Sequence, residues 1–446
     1  MMDSEKDSAI TGQKEDVFER EFSGVIGYEP VKLELKRIID IMNNPERYKE
    51  LGVSTPSGIL IDGEPGLGKT LMAKCFINAS GRKSYTCRKD KPNGDFVNEL
   101  KRVYEEAKNN APSIVFLDDM DKFANEDEKH KNAQEFITVQ SCIDDMKDFE
   151  VFTIATTNDM KNIPESLLRV GRFDKCFTIK TPKDEEAERI IDYYLSKKKF
   201  VGNVDIKQIC KILNGCSCAQ LETVINEAGI YAGFENKKKI EMKDIIRAVM
   251  RIIYNAPEEL TNEQKDHIKE IAYHEAGHAV VAEVLEPDSV NIISVKKYNG
   301  DVKGVTSYYQ NRESFQHKKY LENRVISLLA GKCATEIVFG LTDVGVHSDV
   351  KKACKIVEDF IDDYCTYGFD TFTFQYYDEK SNEFFERRER SIYREIDRYY
   401  QMTRRILCEN REFLDKLANE LVKKETLIAE DVQRIKKSCQ IVNFCF

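Results

Sequence analysis

The chain has 446 residues, of which 33% are charged, and acidic side chains outnumber basic ones to give a net charge of −10. This length predicts two to four domains with hydrophobic cores of their own. The acidic balance argues against nucleic acid as the main partner, because binding to a phosphate backbone requires a basic surface.

No apolar stretch approaches the ~18–20 residues that cross a bilayer, so we expect no transmembrane segment in this chain. The polar residues 1–20 lack a signal-peptide core and are expected to form a disordered tail. Thirteen cysteines, an odd number without C-x-x-C spacing, favour free thiols in a reducing compartment. We therefore expect a cytoplasmic protein, with membrane association only if an anchoring segment has been removed. Cys216 and Cys218 are interpreted as helix-packing residues rather than metal ligands.

A phosphate-binding loop follows the first predicted strand, the apolar run Gly58–Asp62. In such a loop the glycines turn backbone N–H groups towards the β-phosphate, the lysine reaches the β- and γ-phosphates, and the threonine binds Mg²⁺. A helix over residues 70–79 directs its positive end at the same phosphates. We predict that ATP and magnesium bind to the loop and the start of its helix, namely Gly63, Glu64, Pro65, Gly66, Leu67, Gly68, Lys69, Thr70 and Leu71.

Two further apolar strands end in polar side chains. The strand from Ser113 is followed by Asp118 and Asp119, and the strand from Val151 ends at Asn158. The first acid is predicted to lie near the Mg²⁺ ion, and Asp119 to orient or deprotonate the attacking water. Because these strands alternate with helical segments, the sequence predicts a parallel, doubly wound α/β sheet.

An H-E-x-x-H motif, His274-Glu275-Ala276-Gly277-His278, lies about 200 residues after the loop and contains two of only six histidines. Roughly 0.014 such matches are expected by chance in a chain of this composition. On the predicted helix 263–286 both histidines share one face and can bind one metal ion, for which zinc is the usual choice. Glu275 can take a proton from a metal-bound water. The alternative is a pair of ordinary surface histidines.

From Phe22 to about residue 435, the chain resembles the AAA+ ATPases and, among them, the FtsH-type proteases. The resemblance rests on the stretch Phe22–Gly27, the phosphate loop, the L-L-R-x-G-R-F-D string at 167–174 and the H-E-A-G-H motif. After the tail of residues 1–20, it implies an α/β ATPase domain over 21–182 and a small helical lid over 183–258, with residues 215–221 near the adenine. A mainly helical zinc peptidase domain would follow over 259–446.

The resemblance also assigns individual residues. It implies that Asn158 senses the γ-phosphate and that Arg169 and Arg172 enter the ATP site of a neighbouring subunit in a homo-hexamer. Surface salt bridges are the alternative for both arginines. It implies Asp349 as the third zinc ligand, with His347 and Asp343 as nearby competitors.

Two more segments of the peptidase region are assigned in the same way. The segment 304–308 is expected to lie beside the cleft and to pair with an extended peptide. Glu336 either supports the metal ligands from behind or is a solvated charge on its helix, and both interpretations stay open.

Three features depart from the family pattern. Asp119 occupies a position where the family usually has Glu, which withdraws the carboxylate by one methylene group. The segment Ser84–Asn98 is charged and lacks the aromatic-hydrophobic-glycine triplet of the family's pore loop; Phe96 is either its aromatic residue or a core residue. We also expect no membrane anchor of the family's kind in this sequence.

The pattern predicts an ATP-dependent zinc metalloendopeptidase of the protein quality control type, which degrades unfolded or loosely folded polypeptides. One alternative is a zinc peptidase whose ATPase ring regulates but does not thread substrate. Another is a non-proteolytic remodelling ATPase, against which the intact H-E-A-G-H motif and Asp349 argue.

Overall fold

The computed structural model describes residues 17–53, 55–89, 93–123, 133–296, 304–309, 317–340, 347–364 and 382–444. These residues form two compact units. The first extends to Lys197 and includes Gly215–Thr223, and the second comprises Lys198–Asn214 and the chain from Val224 onwards. Within the predicted tail, residues 17–20 are helical and Phe18 is buried, while residues 1–16 lie outside the described residues.

A five-stranded parallel sheet forms the centre of the first unit. Its strands run in the order β2-β3-β4-β1-β5. Their bounds are β1 Gly58–Gly63, β2 Lys83–Arg88, β3 Ser113–Asp118, β4 Val151–Thr157 and β5 Lys175–Ile179. The helices of this unit are α1 Glu29–Asn43, α2 Pro45–Lys49, α3 Lys69–Ser80, α4 Asn93–Asn109, α5 Ala133–Asp145 and α6 Asp184–Ser196. The predicted parallel α/β fold is confirmed.

The apolar strands of this sheet are buried on both faces. In β1, Ile59 and Ile61 join one hydrophobic cluster, whereas Leu60 joins the other. Successive side chains of a strand point to opposite faces, so a continuous apolar run supplies two cores. Because the strands are parallel, the carboxyl ends of β1, β3 and β4 meet at one edge of the sheet, where the phosphate loop begins.

The edge strand β2 is the main difference from the sequence prediction, which treated Ser84–Asn98 as a loop segment. Only Cys87 of this strand is buried, so its pattern carries little apolar signal. Its pairing places Arg88 opposite Asp118 of β3. Phe96 lies in α4, is fully buried and packs against Phe123 with ring centroids 4.9 Å apart, which confirms its interpretation as a core residue.

Residues 183–258, predicted as a helical lid, contain α6 and the helices α7 Ile206–Ile212, α8 Cys218–Phe234 and α9 Met242–Ile252. The two compact units divide this region between them. The predicted domain boundaries therefore stay a prediction.

The rest of the second unit is mainly helical, as predicted. Its three-stranded antiparallel sheet has the order β7-β6-β8, with β6 Val290–Ser294, β7 Val305–Tyr308 and β8 Thr426–Ile428. Its helices are α10 Asn262–Asp266, α11 Ile268–Leu285, α12 Lys318–Leu328, α13 Ala330–Phe339, α14 His347–Asp362, α15 Asn382–Glu409, α16 Arg411–Lys424 and α17 Ala429–Lys437. The helix predicted over 263–286 is thus two helices, which separate at His267.

Helix α11 is buried on nearly all sides by its neighbours. Its close approach to α13 depends on small side chains, because a Cβ atom on Gly277 would lie 2.6 Å from the Cβ of Ala334 and 2.7 Å from the carbonyl oxygen of Ala330. Among the described residues, no helix combines the length and apolarity needed to span a membrane. The eleven cysteines of the described ranges are all free thiols.

We expect Gly277→Ala to destabilise the second unit by about 1–3 kcal/mol, because the added methyl group overpacks the contact between α11 and α13. Urea unfolding followed by circular dichroism measures this change. Gly233→Ala is the matched control, since a Cβ atom there meets nothing within 4 Å and alanine is the better helix former. Equal stability of the two variants would contradict the packing argument.

Candidate nucleotide and metal sites

The phosphate loop connects β1 to α3 in a backbone conformation that requires glycine. Gly66 and Gly68 have φ angles of 81° and 89°, in the left-handed region that other residues rarely adopt. The buried Lys69 donates hydrogen bonds to the carbonyl oxygen of Gly63 at 2.7 Å and to Oδ1 of Asn158 at 2.9 Å. The structure thus brings together the predicted phosphate-binding lysine and the predicted sensor.

The two predicted magnesium ligands also meet. Thr70 donates a hydrogen bond of 2.9 Å to Oδ1 of Asp118, and Thr156 donates one of 2.8 Å to the same oxygen. A hydroxyl and a buried carboxylate in contact form the oxygen-donor set that Mg²⁺ prefers. These residues therefore fit a magnesium ion.

Asp119 lies beside this pair in a left-handed backbone conformation, with φ 55°. Its Oδ2 accepts hydrogen bonds from Lys122 at 2.6 Å and from Arg88 at 3.2 Å. Although partial burial opposes the shift, these two cations lower the pKa of Asp119. The sequence interpretation assigned neither cation to the nucleotide site. Arg88 carried no recognisable signal because its edge strand is polar.

A cavity of about 640 Å³ extends from the loop across the first unit. Ala219 donates a backbone hydrogen bond of 2.9 Å to the carbonyl oxygen of Gly66, which brings part of the predicted adenine segment 215–221 to the loop. The cavity lining also includes Cys218 of the same segment, together with Tyr28, Tyr193, Tyr194 and Glu222, which the motifs did not identify. This volume lies within the range of small-molecule sites.

The two predicted arginine fingers differ in their surroundings. Arg172 is mostly buried and binds both carboxylate oxygens of Asp144, at 3.1 and 2.7 Å, and the carbonyl oxygen of Ser166. This contact lowers the pKa of Asp144 to about 2. Arg169 is exposed and forms no ion pair with any residue in the described ranges. The trans role of both arginines stays a prediction.

The metal-ligand candidates converge in the second unit. Nε2 of His274 lies 3.2 Å from Nε2 of His278, and the two nitrogens lie 3.6 and 3.4 Å from Oδ2 of Asp349. Ligand atoms bound at ~2.0–2.2 Å to one tetrahedral zinc ion lie about 3.3–3.6 Å apart. The three side chains therefore fit one zinc ion.

A hydrogen bond to the backbone fixes the orientation of one candidate ligand, His278. Nδ1 of His278 donates a hydrogen bond of 2.7 Å to the carbonyl oxygen of Ser327, which leaves Nε2 free to bind a metal. Burial lowers the pKa of His278, but the neighbouring Asp349 outweighs this effect, so the pKa of His278 is raised. Burial raises the pKa of Asp349, but the two histidines outweigh it and hold this pKa well below its usual range.

Gly331 provides the space that an ion needs. A Cβ atom there would lie 2.4 Å from Cε1 of His274 and 2.5 Å from Nε2 of His278. Helix α13 thus contributes no side chain at this position, and the imidazole edges remain accessible. Sequence reasoning assigned this helix to packing and did not identify Gly331 as part of the site.

Glu275 lies next to the predicted ligands and is buried, which raises the pKa of its carboxyl group. Thr306 of β7 donates a hydrogen bond of 2.6 Å to its Oε2. A Cβ atom on Gly304 would lie 2.5 Å from Oε1, so glycine keeps this side of the carboxylate open. This geometry is suited to a general base with a fixed orientation.

Of the alternative ligands His347 and Asp343 and the candidate supporting residue Glu336, none belongs to the metal site that the described residues form. Among the described residues, His274, His278 and Asp349 are the one group that could hold a metal ion. His347 is exposed at the start of α14, and Asp343 lies outside the described residues. Glu336 forms an ion pair with Lys332 and accepts a hydrogen bond from Tyr400, so its contacts lie within the helical packing.

The fold and the two sites define an AAA-type ATPase module joined to an H-E-x-x-H metallopeptidase. The family model "ATPase family associated with various cellular activities (AAA)" matches residues 59–181, and that of "Peptidase family M41" matches residues 259–435. The chain belongs to the FtsH family of ATP-dependent zinc metalloproteases. The resemblance seen in the sequence is therefore confirmed.

Three relatives illustrate this similarity. The ATP-dependent zinc metalloprotease FtsH of Caldicellulosiruptor bescii is 30% identical, over 93% of this chain and 71% of its own length. FtsH 2 of Thermoanaerobacter sp. (strain X514) is 29% identical, over 96% and 85%. FtsH of Bacillus subtilis is 29% identical, over 93% and 69%.

We expect Gly331→Ala to weaken zinc binding by about tenfold or more, because the methyl group would occupy the space beside both imidazoles. Zinc content after dialysis, measured by plasma mass spectrometry, tests this expectation. His278→Ala provides the comparison for loss of a ligand, and circular dichroism establishes that each variant is folded. One tightly bound zinc ion per Gly331→Ala chain would contradict the assignment of this space to the metal.

Proposed function

We propose that this chain is an ATP-dependent zinc metalloendopeptidase that assembles as a homo-hexameric ring and degrades unfolded or loosely folded polypeptides. The observation that carries the proposal is the convergence of His274, His278 and Asp349 beside the buried Glu275. The phosphate loop with Asp118 and Asn158 supports ATP hydrolysis in the same chain. The acidic net charge argues against nucleic acid as a partner.

In the peptidase reaction, a zinc ion bound by the three ligands would activate a water molecule and polarise the scissile carbonyl group. Glu275 accepts the proton of the attacking water and transfers it to the leaving amine. Its raised pKa brings the carboxyl group closer to the range in which it can both accept and donate a proton. Thr306 occupies Oε2, which leaves Oε1 for this exchange.

An extended polypeptide is the substrate that the surrounding sheet suits best. β7 is an edge strand, since its sheet has the order β7-β6-β8. An exposed edge can add a peptide strand through main-chain hydrogen bonds, which do not depend on side-chain identity. Because Thr306 of β7 contacts Glu275, a peptide added along this strand would be held close to the general base.

In the ATPase reaction, Lys69 and the loop would bind the phosphates, Thr70 and Asp118 would hold Mg²⁺, and Asn158 would contact the γ-phosphate. Asp119 orients the attacking water. Arg169 and Arg172 act on the site of the neighbouring subunit, which requires the ring. The exposure of Arg169 supports this role directly. For Arg172, the contact with Asp144 must first be exchanged for a phosphate contact.

A regulatory ring that does not thread substrate is the second candidate. It is supported by the two cations that engage Asp119, a carboxylate already one methylene shorter than the usual residue. The free thiols of the described cysteines support a reducing, cytoplasmic location, which stays a prediction.

We expect the protein to degrade an unfolded reporter in the presence of ATP and to leave a stably folded reporter intact. Degradation should cease with a zinc chelator and in Glu275→Gln, which removes the base but retains the zinc ligands. The measurement is reporter degradation with ATP, without nucleotide and with chelator, beside the zinc content of the variant. Peptide cleavage by zinc-loaded Glu275→Gln would exclude the proposed base, and rapid ATP-driven loss of the folded reporter would exclude the non-threading alternative.

We expect Arg169→Ala to bind nucleotide normally but to hydrolyse ATP about 10³-fold more slowly, as for other arginines supplied in trans. Mixing Arg169→Ala subunits with Lys69→Ala subunits should restore part of the ATPase activity, since an intact loop then faces an intact arginine. Each variant alone is the control. Absence of any recovery in mixed rings, with both variants folded and assembled, would show that Arg169 acts within its own subunit.

A further inference from the structure

Arg88 is a cation of the nucleotide cavity that none of the recognised motifs contains. It is the last residue of β2 and pairs in register with Asp118. Its side chain lines the same cavity as Lys69 and Asn158. The side chain is 62% exposed, whereas those of Asp118 and Asp119 are only 9% and 17% exposed. A guanidinium group is thus presented to the cavity on the side of the two acids.

The present contacts of Arg88 are exchangeable. Its Nη2 lies 3.2 Å from Oδ2 of Asp119, and its Nε lies 4.0 Å from Oδ2 of Asp118. The same Oδ2 of Asp119 has a shorter contact, of 2.6 Å, with Lys122. Asp119 therefore keeps one cationic partner if Arg88 leaves. Ion pairs with a largely exposed member contribute little free energy, so a stronger anion can displace this one.

The backbone beneath Arg88 is held in place. Cys87 is buried, and Lys89 forms an ion pair of 3.3 Å with Glu135, whose side chain is almost fully buried. The residues on both sides of Arg88 thus have fixed partners, while the arginine side chain itself reaches into solvent. A rotation of this side chain can change its partner without any movement of the strand.

The position of Arg88 selects one phosphate group of the nucleotide. Thr70 and Asp118 would hold a Mg²⁺ ion, which would neutralise negative charge on the β- and γ-phosphates. Arg88 lies beside these acids, and a guanidinium group binds phosphate oxygens in a bidentate geometry. The γ-phosphate is the group that brings new negative charge to this end of the site.

We propose that Arg88 binds the γ-phosphate of ATP from within its own subunit and leaves Asp119 when it does so. Asp119 then retains Lys122 and gains a free acceptor position for the attacking water. The inference rests on the proposed ATPase function and adds to it a residue that distinguishes ATP from ADP. ADP lacks the group that Arg88 contacts, so Arg88 stays on Asp119 in the ADP state.

The test is the affinity of the full chain for the slowly hydrolysed analogue ATPγS and for ADP, both with Mg²⁺, measured by isothermal titration calorimetry. Arg88→Ala should weaken ATPγS binding about tenfold to a hundredfold, the range for a charge-assisted hydrogen bond, and change ADP binding less than about twofold. Arg88→Lys should give an intermediate loss, because it keeps the charge but not the bidentate geometry.

Arg102→Ala is the matched control, since it removes the same charge from an exposed position on α4, where Arg102 pairs with Glu99 and Glu106. It should leave both affinities within about twofold of those of the unmodified chain. An equal loss of ATPγS and ADP binding in Arg88→Ala, or no loss of either, would overturn the inference while the ATPase function stands. Failure of the unmodified chain to bind either nucleotide would instead refute the proposed ATPase function.

Discussion

The close contact between α11 and α13 is the constraint on which the peptidase site depends. At Gly277 the helices are too near for any additional carbon atom, and one turn away Gly331 leaves the imidazole edges of His274 and His278 uncovered. The same small residues that allow dense packing therefore create the space for an ion. Larger residues at these two positions would separate the helices or fill the site, and the ligands would no longer share one metal position.

Charge is arranged differently in the two sites. Around the metal site, Oδ2 of Asp349 faces His274 and His278 at 3.6 and 3.4 Å, while the exposed Lys352 contacts its other oxygen, Oδ1, at 3.6 Å. In the nucleotide site, Asp119 is bound by two cations whose side chains are largely exposed. A closed, fixed arrangement suits a metal that stays bound through every cycle. An exposed arrangement suits a ligand that enters and leaves.

The sequence was most informative where local pattern and chemistry coincide. The strand and loop at Gly58–Gly63, the acids after β3 and the H-E-x-x-H helix follow from short-range spacing, and the structure places them as expected. Asp349 could be proposed only through the family resemblance, since no spacing rule joins residues 71 positions apart. Arg88 and Gly331 carry no local signal, and Thr306 could be expected near the cleft only through the family resemblance of segment 304–308. Each acquires its role because sheet pairing or helix packing brings it to a site assembled from distant segments.

Asp119 links two features in which the nucleotide site departs from the family pattern: its own shorter carboxylate and the charged segment that contains Arg88. Its left-handed backbone turns the carboxylate away from an extended continuation of β3, towards Lys122 and the end of β2. A shorter side chain in this position is more easily held by neighbouring cations, because it has fewer rotamers with which to avoid them. Asp119, the shorter acid, and Arg88, at the end of the edge strand, are therefore coupled through their ion pair. In the proposed mechanism, cations restrain Asp119 until a phosphate group competes for one of them.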